Sequence, residues 1–122
     1  MAIKIGIVED EWLIAESIRI ALNEIGYETT EAASTYEASL EMIKTEKPDL
    51  LMIDIMIDGK KDGVDLAETI NKTYKLPFIF LTGNYDAHTI ERAKNVKPSA
   101  YIVKPFREID LYTDIEIVII NF

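Results

Sequence analysis

Cysteine is absent from the 122-residue chain, so neither a disulfide nor a thiolate metal site can form. Glycine and proline are also scarce, with five and four residues, and the chain contains no low-complexity tract or linker. No apolar run approaches the roughly 20 residues of a membrane span, and the first residues lack a signal-peptide pattern. These absences lead us to expect a cytoplasmic protein that does not contact a membrane.

Basic residues are fewer than acidic residues. The 13 Lys and Arg residues face 22 Asp and Glu residues, which gives a formal net charge of -9. Such a balance argues against direct binding of nucleic acid and favours metal cations or a partner with a basic patch. Hydrophobic residues make up 48% of the chain, so residues 1–122 are predicted to form a single globular domain.

Short runs rich in Ile, Leu and Val alternate with segments of helical periodicity. Ser34 or Thr35 is a plausible N-cap of the second helix, with Glu37 or Ala38 opening it, and Asp62 is a plausible cap of the third. The β-branched sequence IEIVII leaves a strand open as an alternative to the end of the fifth helix. The predicted strands are 3–8, 27–32, 49–54, 77–82 and 100–105, and the apolar stripes of the predicted helices span 14–25, 36–43, 64–74, 87–96 and 109–122.

The alternation of strands and helices predicts an α/β fold. Parallel strands joined by right-handed helical crossovers favour a doubly wound, five-stranded parallel sheet with helices on both faces. The flavodoxin-like strand order 2-1-3-4-5 fits best, with the weak second strand at the edge.

Polar residues stand where four of the five apolar runs end. Glu9 and Asp10 follow the first run, Asp54 ends the third, Thr82 ends the fourth, and Lys104 follows the fifth. Because parallel strands end at one edge, these side chains are predicted to lie close together. Crowded carboxylates need a cation, and oxygen ligands alone favour Mg²⁺. The lysine and the hydroxyl suit an oxyanion such as a phosphoryl group.

The motifs IVEDE, LLMIDI, FIFLTG and YIVKPF, in this order, resemble the receiver domain of two-component response regulators. The resemblance implies that Asp54 is the phosphoacceptor and that the Lys104–Pro105 bond is cis. It implies further site residues: Glu9, Asp10, Asp54 and the backbone carbonyl of Met56 for Mg²⁺, Thr82 and Lys104 for the phosphoryl oxygens, and Thr82 and Tyr101 as switch residues. Three departures stand out: a glutamate at position 9, a long loop after Asp54, and Gly83 after Thr82.

The function implied by the resemblance is that of a phosphorylation-activated signalling switch. A histidine kinase or phosphotransfer protein would supply the phosphoryl group, and the domain would catalyse its own phosphorylation and dephosphorylation without being a conventional enzyme. The output surface is expected on the fourth helix, fifth strand and fifth helix, where an effector domain, a partner or a second copy would bind.

Two other functions remain open from the residues. One is a Mg²⁺-dependent phosphohydrolase of the haloacid-dehalogenase type, which needs a second acid two residues after its aspartyl nucleophile. Met56 occupies that position here. The other is a receiver-like interaction module that is never phosphorylated. Taken alone, Asp54 also fits an ordinary turn residue at a strand end, and Tyr101 fits a core aromatic.

Overall fold

The computed structural model describes residues 2–83 and 86–121 of the chain. Five strands alternate with five helices, as the sequence pattern predicts, and a π-helical turn extends the third helix. The elements are β1 (Lys4–Val8), α1 (Trp12–Glu24), β2 (Glu28–Thr29), α2 (Tyr36–Glu46), β3 (Leu50–Asp54), α3 (Gly63–Thr69) with its π-helical turn (Ile70–Tyr74), β4 (Phe78–Thr82), α4 (Ala87–Asn95), β5 (Ala100–Val103) and α5 (Glu108–Asn121).

All strand pairs are parallel, and the order is β2-β1-β3-β4-β5. The predicted doubly wound, flavodoxin-like sheet is therefore confirmed. The weak second run contributes only a two-residue edge strand, paired with β1 at Lys4 and Ile5. In the described part of the chain, no helix combines the length and apolar character that crossing a bilayer requires.

The sheet separates two apolar clusters, because successive side chains of a strand point to opposite faces. On β4, Ile79 and Leu81 belong to the cluster that α1 and α5 cover, whereas Phe78 and Phe80 belong to the cluster beneath α2 and α3. The central strands are buried on both faces, which explains why they appear in the sequence as nearly continuous apolar runs.

The helix starts agree closely with the predicted caps. The Thr35 hydroxyl accepts a hydrogen bond from the Ala38 amide at 3.0 Å, so α2 starts at Tyr36, slightly before the predicted opening. Asp62 caps α3 as predicted. Local hydrogen-bonding chemistry thus fixes both boundaries.

The fifth helix corrects one detail of the sequence interpretation. The IEIVII segment is helical, and its buried stripe consists of Leu111, Ile115 and Val118. Ile109 and Tyr112, which we predicted in the stripe, are 55% and 42% exposed, and the predicted stripe also included position 122, which lies outside the described residues. Apolar residues surround this helix on nearly all sides, so periodicity could not identify the buried face.

Candidate functional site

The acidic residues after β1 and β3 meet because the two strands pair side by side. Val8 lies opposite Ile53 in the register, so both chains reach the same edge of the sheet. Glu9, Asp10 and Asp54 each offer a carboxylate oxygen, and these oxygens lie within 4.8 Å of one another. The proximity predicted from the strand spacing is therefore present.

Lys104 enters this group from β5, on the far side of β4. Its amide donates to the Thr82 carbonyl at 2.7 Å, and the bond to Pro105 is cis, as expected. Its ammonium donates to Glu9 Oε1 and to Asp54 Oδ2, both at 2.8 Å. The sequence analysis predicted that Lys104 lies at this edge and assigned it to a phosphoryl group, and the structure shows that its ammonium also supplies a positive charge between two of the carboxylates.

The two bridged carboxylates are held in place by backbone amides as well. Glu9 and Asp54 are only 2% and 3% exposed. The Glu11 amide donates to Glu9 Oε2 at 3.2 Å, and the Met56 amide donates to Asp54 Oδ1 at 3.0 Å. Each buried carboxylate thus has a fixed orientation, which is what a metal ligand or a nucleophile requires.

Burial and charge shift the pKa values in this group. Burial raises the pKa of Glu9 to about 7, and the neighbouring Asp54 carboxylate adds to the rise while Lys104 opposes it. Burial alone would lower the pKa of Lys104, but its hydrogen bonds to Asp54 and Glu9 outweigh this effect and raise the pKa above its ordinary value. A cation that binds here near neutral pH must compete with a proton on Glu9.

The donor set fits Mg²⁺. Three carboxylates within reach of one ion, with oxygen as the only ligand atom, match the preference of a small hard cation. Glu9, Asp10 and Asp54 could hold it, while the predicted contribution of the Met56 carbonyl stays a prediction.

The predicted switch residues lie on the two neighbouring strands. Thr82 ends β4 and is buried, and it pairs in register with Val103 on β5. Tyr101 lies two residues earlier on β5, with its ring 6.2 Å from that of Phe80. It is 41% exposed, so it is a surface side chain and not a core aromatic. The switch roles of Thr82 and Tyr101 stay predictions.

The structure contains an ion-pair cluster beside the site that the sequence analysis did not predict. Arg92 on α4 contacts Asp62 and Asp65 at the start of α3, at 2.7 and 3.2 Å. Asp62 was predicted as a helix cap, but no sequence signal pairs it with an arginine 30 residues away.

Comparison with known proteins points to one family throughout. Residues 5–116 match the sequence model of the family described as "Response regulator receiver domain". The transcriptional regulatory protein PdtaR of Mycobacterium tuberculosis is 34% identical over 119 residues, which cover 98% of this chain and 58% of PdtaR. The phosphate regulon transcriptional regulatory protein PhoB of Pseudomonas aeruginosa is 34% identical over 116 residues, which cover 93% of this chain and 50% of PhoB. The chain thus spans about half the length of these relatives.

A solved structure agrees with the sequence comparisons. The signal receiver domain of a modulated diguanylate cyclase from Desulfovibrio desulfuricans G20 superposes with a TM-score of 0.93 at 34% identity. The superposition covers 99% of this chain and 96% of that one.

Proposed function

The chain belongs to the family of response regulator receiver domains, and on that premise we propose that it is a phosphorylation-activated switch with Asp54 as its phosphoacceptor. One observation carries the proposal. Asp54 is a buried carboxylate at the end of a central strand, with two further acids within 4.8 Å and a lysine ammonium at 2.8 Å. This arrangement combines a nucleophile, ligands for a divalent cation and a fixed positive charge.

The chemistry we propose is an in-line phosphoryl transfer from a phosphohistidine of a histidine kinase or phosphotransfer protein. An Asp54 carboxylate oxygen attacks phosphorus, the O–P bond forms, and the N–P bond breaks with its electron pair returning to the imidazole. The Lys104 ammonium and the Thr82 hydroxyl bind oxygens of the transferred group and offset its charge. When bound by Glu9, Asp10, Asp54 and the Met56 carbonyl, Mg²⁺ supplies further positive charge.

The domain accelerates its own phosphorylation in this scheme, and water attack on the acyl phosphate later reverses it. Residues 1–122 act as one receiver domain. Its cytoplasmic location, its homodimerisation and its lack of direct nucleic-acid binding stay predictions.

The output of the switch is proposed to pass through α4, β5 and α5. Tyr101 and Val103 are exposed on β5, so apolar side chains are available there to an effector domain or partner. Acyl-phosphate formation changes the charge at Thr82 and Lys104, which join β4 and β5 through their backbone hydrogen bond. A shift in either residue would therefore reach the exposed face of β5.

The experiment that tests the phosphoacceptor is Asp54→Asn treated with acetyl phosphate and Mg²⁺. We expect intact-mass measurement to show one acid-stable, base-labile phosphoryl group on the wild type and none on the variant, because an amide is a poor nucleophile. Asp58→Asn, which changes an exposed acid of the same loop, is the matched control and should be labelled normally. Labelling of folded Asp54→Asn at the wild-type level would refute the assignment.

The same samples separate the two alternatives. Steady turnover of small phosphate esters by the wild type would favour the phosphohydrolase. Complete absence of labelling in the wild type, with kinase and with acetyl phosphate, would favour the interaction module.

A further inference from the structure

Arg92 clamps the start of α3. Its guanidinium donates to Asp62 Oδ2 at 2.7 Å and to Asp62 Oδ1 at 3.3 Å, and also to Asp65 Oδ1 at 3.2 Å. All three side chains are partly buried, with exposures between 23% and 35%. A forked, charge-assisted contact of this kind fixes geometry as well as charge.

The acids that Arg92 holds are the ones that build the first turn of α3. Asp62 Oδ1 accepts hydrogen bonds from the Val64 and Asp65 amides, both at 3.0 Å. Asp65 Oδ2 accepts a hydrogen bond from the Asp62 amide at 2.9 Å, which completes a capping box. The acids that bind Arg92 are therefore the same acids that hold the first turn of α3 in place.

The first residue of α3 lies directly on the backbone of the phosphoacceptor. The Gly63 amide donates to the Ile55 carbonyl at 2.7 Å. A Cβ at Gly63 would lie 2.3 Å from the Asp54 carbonyl oxygen and 2.9 Å from Ile55 Cα. No side chain fits there, so the start of α3 packs directly against the end of β3.

Among the described residues, little apolar burial anchors α4. Within this helix, which the structure describes completely, Ala93 alone is buried. A second polar link joins the Asn71 side chain, on the π-helical turn, to the Val96 carbonyl at 2.7 Å. Both polar links lie at the C-terminal end of α4, where a basic residue is also favoured by the helix dipole.

We propose that Arg92 is a positioning residue that couples α4 to the Asp54 backbone through Asp62, Asp65 and Gly63. The Met56 amide, which orients the Asp54 carboxylate, lies in the segment that this clamp closes. The consequence for phosphorylation rests on the proposed function, whereas the mechanical coupling does not. Loss of the clamp loosens the segment from 55 to 62 and weakens ligand binding at Asp54.

Amide hydrogen exchange of the metal-free protein tests the coupling by itself. In Arg92→Gln we expect the Gly63 amide to exchange about tenfold faster than in wild type, with a smaller change at Met56. The Leu51 amide, bonded to the Pro77 carbonyl inside the sheet, reports on global stability and should change little. Lys94→Gln removes one positive charge from the same helical turn at an exposed position, so it is the matched control and should leave the exchange rate of the Gly63 amide unchanged.

Two further variants separate the forked contact from charge alone. Arg92→Lys keeps the positive charge without the fork, so the Gly63 exchange rate should be intermediate. Asp65→Asn keeps an oxygen for the Asp62 amide but weakens the ion pair, so its effect should be smaller and in the same direction. Equal Gly63 exchange in Arg92→Gln and Lys94→Gln, or equal acceleration at Leu51, would overturn the coupling.

Binding of beryllofluoride with Mg²⁺, measured by calorimetry, tests the consequence at Asp54. We expect the dissociation constant to rise about fivefold in Arg92→Gln and to stay unchanged in Lys94→Gln. An unchanged or tighter constant in Arg92→Gln would refute the positioning role. Failure of the wild type to bind would instead refute the proposed function, and the Gly63 exchange rates would still decide whether the coupling exists.

Discussion

Replacement of Lys104 by Met should expose how much this cation stabilises the acidic cluster. The ammonium lies 2.8 Å from Glu9 Oε1 and 2.8 Å from Asp54 Oδ2. The two carboxylate side chains are 0% and 4% exposed, so water compensates them poorly. A methionine of similar length keeps the apolar contacts of the lysine stem and removes the charge together with its two hydrogen bonds.

The magnitude follows from the distances. At an effective dielectric of about 20, each contact at this distance represents roughly 6 kcal/mol of gross attraction. Most of that is offset by the cost of burying the ammonium, and loss of one partner of a buried ion pair typically costs about 3–5 kcal/mol. We expect a loss of about 3 kcal/mol in the free energy of unfolding, because Glu9 can relieve part of the strain by taking up a proton.

Because Glu9 titrates near neutral pH, the loss of stability in Lys104→Met depends on pH. Burial raises the pKa of Glu9 from 4.5 to about 7 in the wild type, and Lys104 opposes that rise, so the pKa in the variant is higher still. A carboxyl with a raised folded-state pKa contributes stability fully below its unfolded pKa and loses it as pH rises through the folded value. The loss in Lys104→Met should therefore be smaller near pH 5.5, where Glu9 is protonated and only the contact with Asp54 is removed, and larger above about pH 7, where Glu9 is charged as well.

Urea melts in the presence of a chelator measure the free energy of unfolding directly, and Lys60→Met, which changes an exposed loop lysine, is the matched control. Saturating Mg²⁺ should then stabilise Lys104→Met more than wild type, because a bound cation replaces the missing charge. Absence of any loss would show that Lys104 is not the compensating cation, and an equal loss near pH 5.5 and above about pH 7 would show that the charge on Glu9 contributes nothing.

Two further substitutions test the neighbouring geometry. Asp10→Asn should stabilise the metal-free protein by about 1 kcal/mol and weaken Mg²⁺ binding, because it removes one of three crowded carboxylates. Chelator melts that find the variant less stable than wild type would contradict this crowding. Gly63→Ala should cost on the order of 3 kcal/mol or more, because the new methyl group overlaps the Asp54 backbone. Gly59→Ala is its control: φ is +99° there but the methyl group meets nothing within 4 Å, so we expect a cost of only about 1–2 kcal/mol. Equal costs at Gly59 and Gly63 would refute the close packing.

The sequence determined most of the architecture, because strands and helices are recognisable from the pattern of neighbouring residues along the chain. A central strand buried on both faces is mostly apolar, so β1, β3 and β4 were recognisable as short runs dominated by apolar residues. The edge strand β2 was predicted over 27–32 but spans only Glu28–Thr29, because it has one neighbour and a polar surface. Beyond it, an isolated bridge between Val8 and Ala33 continues the contact with β1.

The sequence also predicted which polar residues meet, because parallel strands deliver their carboxyl ends to one edge. The strand order 2-1-3-4-5 is sufficient to bring together the carboxylates of Glu9, Asp10 and Asp54. Periodicity could not identify the buried face of α5, since a helix with apolar residues on nearly all sides carries no single stripe.

Only the tertiary structure decided how the charges are paired. Lys104 reaches Glu9 across 95 residues, and Arg92 reaches Asp62 across 30. Such pairs form only if the crossovers position whole helices and strands to within about an ångström of each other. The spacing of residues along the chain does not predict that distance between elements. The sequence therefore determined that carboxylates and a lysine share one edge of the sheet, while the packing of β5 and α4 decided which oxygen each cation contacts.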